Sequence, residues 1–206
     1  MYQVFLGKIS SLSTDNWAEA LTRYAPEGAQ RARWLAGRGL LSRLFAPEPL
    51  PEIIYSEQGK PGFADHYPLW FSVSHCEDDI ALIVSDEGDV GCSLEHIRAQ
   101  DNWRTLANAV FSSAEHAELE NEAPDNQLAA FWRIWTRKGA IVKQRGAHSW
   151  QIVSIDSAAH ALHSVSQCQI ASLSLAVCTA TPFALTAAAV HSVNDASDEK
   201  LSAHPQ

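Results

Sequence analysis

The chain has 206 residues, enough for one large domain or for two smaller halves that share a core. Its hydrophobic content of 46% is typical of a soluble globular protein, and its formal net charge of −9 argues against general nucleic-acid binding. No apolar run reaches the roughly 18 residues of a membrane span, and the N-terminus lacks the features of a secretory signal. We therefore expect a cytoplasmic protein that does not enter membranes.

In the first third of the chain, alternation of apolar residues predicts strands, and apolar residues three or four apart predict helices. In chain order, we expect a strand over 2–9, a helix from Thr14 or Asp15 to about Tyr24, a helix over 28–45 and a short strand over 52–55. The prolines after residue 45 end the second helix, because proline removes a backbone donor.

The middle of the chain predicts three strands in succession. They cover residues 69–75, 79–85 and 89–95. Because Ser85–Asp89 has the residues of a hairpin turn, we predict that the last two strands pair antiparallel.

The remainder begins with helices. Ser112 followed by Glu115 predicts a capping box, and Pro124 suits the first turn of a long helix that Gly146 terminates. Further strands are predicted over residues 150–156 and 169–179, and a polar, flexible tail from about residue 191.

The positive charges are unevenly distributed. Nine of the fifteen lysines and arginines lie in two short segments: Arg31, Arg33, Arg38 and Arg43 in the first, and Arg133, Arg137, Lys138, Lys143 and Arg145 in the second. Two interpretations remain open. The segments are either solvated helix faces or parts of a pocket for a polyanion such as a phosphorylated cofactor.

The segment "VGCSLE" (residues 90–95) poses a question about metal binding. Ser93 and Glu95 are two residues apart in a predicted strand and therefore point to the same face. A divalent cation such as Mg²⁺ prefers carboxylate oxygens, and this strand offers one carboxylate and one hydroxyl.

Four segments occur in the order that is typical of one protein family. They are "GKP" (59–61), "FSVSHC" (71–76), "VGCSLE" (90–95) and "FWRIWTRKGAIVKQRG" (131–146). With "RARWLAGR" (31–38) upstream, they resemble the phosphopantetheinyl transferases of the surfactin type and their enterobacterial acyl-carrier-protein relatives.

The resemblance implies an α+β fold with two pseudo-symmetric halves. Each half would pack helices on a small, mostly antiparallel sheet, with the site in the cleft between them. We expect the halves at residues 1–97 and 98–190, a tail at 191–206, and a monomer.

The resemblance also implies a reaction. The enzyme would transfer the 4′-phosphopantetheine arm of coenzyme A to a serine of an apo acyl or peptidyl carrier protein, releasing 3′,5′-adenosine bisphosphate. Mg²⁺ would be the cofactor. Such transfer depends on positioning and charge stabilisation around a pyrophosphate, which would explain the two basic segments.

Residue roles follow from the resemblance. In coenzyme A binding, Arg33 would meet the 3′-phosphate, with Arg31 and Arg38 as further candidates, and Lys60 would contact the nucleotide. Ser74 and His75 would contact phosphate oxygens, and Lys143 would reach the pyrophosphate. The catalytic group would be Glu95, Lys143 and His75, and the metal candidates would be Glu95, Ser93 and Glu115. Two simpler alternatives stay open: His75 as a core histidine, and Lys143 as an exposed lysine at a helix end.

The chain departs from the family pattern at two positions. The family reads Val-Gly-Ile-Asp-Ile-Glu and Trp-(Ser/Thr)-x-Lys-Glu-(Ala/Ser), so its aspartate falls on Ser93 and its glutamate on Gly139. Both carboxylates are metal ligands in the family, and the glutamate is also a proposed general base. We therefore expect weak Mg²⁺ binding and impaired transfer.

Two alternatives to transfer remain. One is a relative that binds coenzyme A or a carrier protein without catalysis. The other is an unrelated interaction protein whose basic helices bind nucleic acid.

Gly139 also lies near the buried side of its helix, where glycine suits a close approach by a group that the sequence does not identify.

Overall fold

The protein is described by a computed structural model that covers residues 1–159 and 164–193. The strands are β1 (Tyr2–Lys8), β2 (Ile53–Tyr55), β3 (Pro61–Phe63), β4 (Trp70–Cys76), β5 (Asp79–Ser85), β6 (Gly91–His96), β7 (Ser164–Ile170), β8 (Leu173–Thr179) and β9 (Val190–Val193). The helices are α1 (Ile9–Leu12), α2 (Asn16–Glu19), α3 (Arg31–Phe45), α4 (Trp103–Val110), α5 (Ser113–Glu120) and α6 (Gln127–Gln144). The predicted α+β class is confirmed. Among the described helices, none is both long and apolar enough to cross a membrane.

Helix termini follow the predicted local chemistry. Asp15 caps α2 by accepting a hydrogen bond from the Ala18 N–H at 2.8 Å, although this helix is shorter than predicted and a 3₁₀ turn follows it. Ser112 and Glu115 form the reciprocal capping box of α5. Gly146 has φ +65° just after α6, which is the left-handed conformation of a helix-ending glycine.

The first sheet has the strand order β4–β5–β1–β9, and every residue of β5 is buried. Alternate residues of a strand face opposite sides of its sheet. Ile80 and Leu82 pack in one apolar cluster with Leu40 of α3, whereas Ala81 packs in another with Leu94 of β6. Strand β5 therefore lies between α3 and the second sheet.

The second sheet has the antiparallel order β6–β8–β7. Helix α6 covers its other face, where Ala140 and Ile141 cluster with Ala176 and Cys178 of β8. This packing places the last turns of α6 alongside β6, the strand that contains Ser93 and Glu95.

The predicted antiparallel pairing of residues 79–85 with 89–95 is wrong. Strand β5 is hydrogen-bonded to β4 on one side and to β1 on the other, so both of its edges are occupied. Strand β6 pairs with β8 instead. The turn at Ser85–Asp89 thus connects two sheets, a difference that the chemistry of the turn alone does not encode.

Two later strand predictions need correction. Residues 149–154 form a 3₁₀ helix rather than a strand, and Ile152 and Ile155, three residues apart, both pack into the core. The predicted strand over 169–179 is divided by a turn, in which Ala171 adopts φ +52°. Its two parts are the end of β7 and the whole of β8.

The predicted tail begins too early. Strand β9 pairs in parallel with β1, and Val193 is buried, so residues 191–193 belong to the first sheet. The rest of the predicted tail, residues 194–206, lies outside the described residues.

Candidate functional site

The two sheets meet where β4 lies beside β6. The Cys92 N–H donates to Ser72 Oγ and the Leu94 N–H donates to Ser74 Oγ, each at 3.1 Å. Ser74 is only 4% exposed. Its hydroxyl oxygen therefore joins the sheets, which is a structural contact at the position predicted to meet a phosphate.

Lys143 extends from α6 across this junction. Its Nζ donates to the carbonyl oxygen of Val73 on β4 at 3.0 Å. Burial lowers the pKa of Lys143, although the Cys92 thiol and the Glu95 carboxylate oppose this change. The partly buried side chain rules out the alternative of an exposed lysine at a helix end.

His75 and Arg33 lie at a cavity of about 230 Å³ between α3 and β4. His75 is exposed, so it is not a core histidine. Its pKa is lowered by partial desolvation and by the positive charges of Arg33 and Lys143. His75 therefore lies close enough to one cation of each basic segment for both to act on its charge.

The other two arginines of the first segment have different surroundings. Arg38 lines the same cavity, stacks near the rings of Trp34 and Tyr55, and donates from Nη2 to Tyr55 Oη at 2.5 Å. Arg31 donates to the carbonyl oxygens of Thr22 at 3.1 Å and Ala25 at 3.3 Å. Arg31 thus anchors the turn before α3.

A second cavity, of about 210 Å³, lies at the end of α6. Lys60 and Lys143 both line it, and it shares Pro61, Phe71 and Val73 with the cavity that contains Arg33. The two cavities are therefore adjacent, and positively charged side chains line both; we refer to the pair as the groove.

The two positions that depart from the family pattern are in direct contact. A Cβ atom added at Gly139 would lie 2.6 Å from Ser93 Oγ and 3.1 Å from Ser93 Cβ. The close approach that the sequence left unexplained is therefore made by Ser93 itself. Helix α6 packs against β6 where the family has two carboxylates.

The donor set does not fit a metal ion held by the protein alone. Glu95 supplies one carboxylate, which already accepts from Arg98 Nη1 at 3.3 Å and from Cys76 Sγ at 3.5 Å. Ser93 adds a hydroxyl, and this residue is only 8% exposed. Within residues 1–159 and 164–193, no cluster of three or more His, Cys, Asp or Glu side chains could bind a metal.

Glu115, a third metal candidate from the sequence, has a structural role instead. It is fully buried and forms an ion pair with Lys138 at 2.7 Å. It also accepts from the N–H groups of Ser112 at 2.8 Å and Ser157 at 2.9 Å, and from the Ser157 hydroxyl. Burial raises the pKa of Glu115, but these bonds outweigh it and the pKa is lowered overall.

Sequence reasoning missed several groups that shape the groove. Tyr55 holds Arg38, and Asp89 accepts from Lys60 Nζ at 2.6 Å. Asp89 immediately precedes the "VGCSLE" segment, and a charged residue next to this motif could have been recognised from the sequence as part of the site. The Val73 carbonyl that binds Lys143 left no signal, because every residue has a backbone carbonyl.

Comparisons with known proteins identify the family of this chain. Residues 89–195 match the 4′-phosphopantetheinyl transferase superfamily. The chain is 64% identical over 186 residues to the 4′-phosphopantetheinyl transferase AcpT of Salmonella typhimurium, covering 90% of this chain and 96% of that protein. It is 61% identical over 190 residues to the protein of the same name from Escherichia coli, covering 92% and 96%. The chain therefore belongs to the 4′-phosphopantetheinyl transferase superfamily and is an enzyme of that type.

Proposed function

We propose that this enzyme transfers the 4′-phosphopantetheine arm of coenzyme A to a serine of an apo acyl or peptidyl carrier protein. The observation that carries the proposal is the groove formed by the two adjacent cavities, with Arg33 and Arg38 lining one and Lys143 lining the other. Coenzyme A is a long anion with a 3′-phosphate and a pyrophosphate. A groove with separated cations in a protein of net charge −9 is complementary to that charge pattern.

The proposed roles follow the position of each side chain. Arg33, supported by Arg38, pairs with the 3′-phosphate, because a guanidinium binds phosphate oxygens through two parallel hydrogen bonds. Lys143 faces the pyrophosphate, and His75, which lines the same cavity as Arg33, faces phosphate oxygens. The His75 ring donates a hydrogen bond to a phosphate oxygen.

The reaction is a displacement at phosphorus. The carrier serine oxygen attacks the phosphorus that bears the pantetheine arm, and a new phosphate ester forms. The bond to the bridging pyrophosphate oxygen breaks, and 3′,5′-adenosine bisphosphate leaves with the electron pair. Glu95 is the proposed acceptor of the serine proton, and Lys143 stabilises the charge that develops on the phosphate oxygens.

Transfer is expected to be slow. The family's proposed general base falls on Gly139, and Glu95, which already accepts hydrogen bonds from Arg98 and Cys76, is the weaker substitute for it. Loss of a general base typically lowers a rate by about 10²–10⁴-fold. Because the donor set around Glu95 does not fit a metal held by the protein alone, none of the proposed steps depends on Mg²⁺.

A second candidate function is binding of coenzyme A or a carrier protein without transfer. The contact between Ser93 and Gly139 favours it, because this contact occupies the position of the two missing carboxylates. The remaining alternative required a protein unrelated to the transferases, and this is wrong because the chain belongs to the transferase family.

Chromatography of the nucleotide products separates the two functions. Coenzyme A is incubated with the protein, with and without an apo carrier protein, and binding is measured in parallel by calorimetry. Release of 3′,5′-adenosine bisphosphate only when the carrier is present supports transfer. Binding of coenzyme A without any bisphosphate supports the second function, and absence of both would refute transfer and coenzyme A binding.

A further inference from the structure

Lys60 connects three segments of the chain at the end of the groove. Its Nζ donates to Asp89 Oδ1 at 2.6 Å, to the Val90 carbonyl at 2.9 Å and to the Gln144 carbonyl at 3.2 Å. An ammonium group has three donors, and all three are used here by protein oxygens. The Lys60 side chain is 17% exposed, so these bonds are partly shielded from water.

Each partner of Lys60 belongs to a segment that shapes the site. Val90 immediately precedes β6, which contains Ser93 and Glu95. Gln144 is the last residue of α6 and directly follows Lys143. The Gln144 carbonyl is among the final carbonyls of the helix, which lack partners within it and attract positive charge.

The backbones of β6 and α6 are in contact at the same place. A Cβ atom added at Gly91 would lie 2.2 Å from the Ala140 carbonyl oxygen and 2.3 Å from the Gln144 nitrogen. After the helix, Gly146 turns back over the Lys60 stem, where an added Cβ would be 3.5 Å from Lys60 Cδ. At this junction the backbones of β6 and α6 therefore lie too close for a side chain at residue 91.

We infer that Lys60 is a positioning residue that holds the end of α6, and with it Lys143, in register with the strand that contains Glu95. This differs from the nucleotide contact that the "GKP" segment suggested, because the Lys60 donors already have protein acceptors. The inference rests on the proposed function only in using coenzyme A as the ligand. It predicts that Lys60 affects the pyrophosphate end of the groove through Lys143.

The test compares two ligands and two variants. Calorimetry measures binding of coenzyme A and of 3′,5′-adenosine bisphosphate, which lacks the pyrophosphate linkage and the pantetheine arm. Lys60→Met removes the three hydrogen bonds, whereas Lys60→Arg retains a charged donor that can reach the same oxygens. Lys60→Gln, which keeps a polar but shorter side chain, replaces Lys60→Met if that variant does not fold. Amide hydrogen exchange over residues 140–146 reports the end of α6 independently of any ligand.

We expect Lys60→Met to weaken coenzyme A binding about tenfold, the loss of roughly one charge-assisted hydrogen bond at the pyrophosphate. Bisphosphate binding should change less than about twofold, exchange over residues 140–146 should accelerate, and Lys60→Arg should restore both properties. Equal weakening of the two ligands with unchanged exchange would instead show a direct nucleotide contact and overturn the inference. Unchanged exchange and unchanged binding would also overturn it.

Failure of the proposed function gives a different result. If the unaltered protein binds neither ligand, the coenzyme A assignment fails, yet the exchange measurement still decides whether Lys60 holds the end of α6. Faster exchange in Lys60→Met with recovery in Lys60→Arg would then support positioning, and unchanged exchange would contradict it.

Discussion

The contact between Gly139 and Ser93 makes a quantitative prediction for Gly139→Ala. Alanine stabilises a helix interior by about 1 kcal/mol relative to glycine. Against this gain, the new Cβ would lie 2.6 Å from Ser93 Oγ and 3.1 Å from Ser93 Cβ. Overpacking of this kind destabilises by about 1–3 kcal/mol, so the substitution should range from neutral to about 2 kcal/mol destabilising.

Removing the Ser93 hydroxyl should reverse the effect. In a Ser93→Ala background the 2.6 Å contact disappears, and only the 3.1 Å contact must relax. The helix preference for alanine then dominates, and Gly139→Ala should stabilise by up to about 1 kcal/mol. The two substitutions should therefore show a coupling energy of about 1 kcal/mol or more in a double-mutant cycle.

Urea denaturation of the four proteins at pH 7 measures this coupling. Gly37→Ala in α3 is the matched control, because a Cβ at Gly37 would meet Ile80 and Val73 side chains at 3.8 Å, an ordinary contact distance. The control should be stabilising or neutral, and independent of Ser93. Coupling below about 0.3–0.5 kcal/mol, the limit for independent sites, would refute the close approach of α6 to β6 at this point.

The remaining predictions concern the site and the buried ion pair. Ser93→Asp combined with Gly139→Glu should accelerate transfer in the presence of Mg²⁺ by more than the product of the two single effects, because both carboxylates would act on one metal. A folded double variant that transfers no faster than the unaltered protein would contradict this. Coenzyme A should raise the melting temperature, and Arg33→Ala should reduce this rise. Arg104→Ala, a control at an exposed residue of α4, should leave the rise unchanged. Equal reductions in the two variants would show that Arg33 is not part of the site. Glu115→Ala should destabilise by about 3–5 kcal/mol, because it leaves a buried ammonium unpaired. The lowered pKa of Glu115 means that its contribution is present at neutral pH and is lost as the pH falls through the lowered value, so the urea midpoint should fall less on acidification in Glu115→Gln than in the unaltered protein.

Local signals in the sequence predicted some of the beginnings and ends of elements. The Ser112–Glu115 capping box and Gly146 after α6 were predictable, because each depends on neighbouring residues only. The pairing of β6 with β8 was not, because it depends on the occupied edges of β5. The twofold relation between the halves stays a prediction.

For the site, as for the fold, the sequence did not predict the contacts between residues that are far apart in the chain. Resemblance to the family identified Ser93 and Gly139 as changed positions, but the sequence could not show that they touch across β6 and α6. The ion pair between Glu115 and Lys138 joins residues 23 positions apart, which no local pattern encodes. The roles proposed for the groove residues therefore rest on the resemblance together with their positions.

The most direct test of the proposed function is the mass of an apo carrier protein after incubation with this protein and coenzyme A. The reaction is run with and without Mg²⁺, beside the Ser93→Asp/Gly139→Glu variant as a faster reference. We predict that the carrier gains one phosphopantetheine group slowly with the unaltered protein and more rapidly with the variant. A carrier whose mass stays unchanged with the unaltered protein, while the protein is folded and binds coenzyme A, would contradict transfer and leave binding as its function.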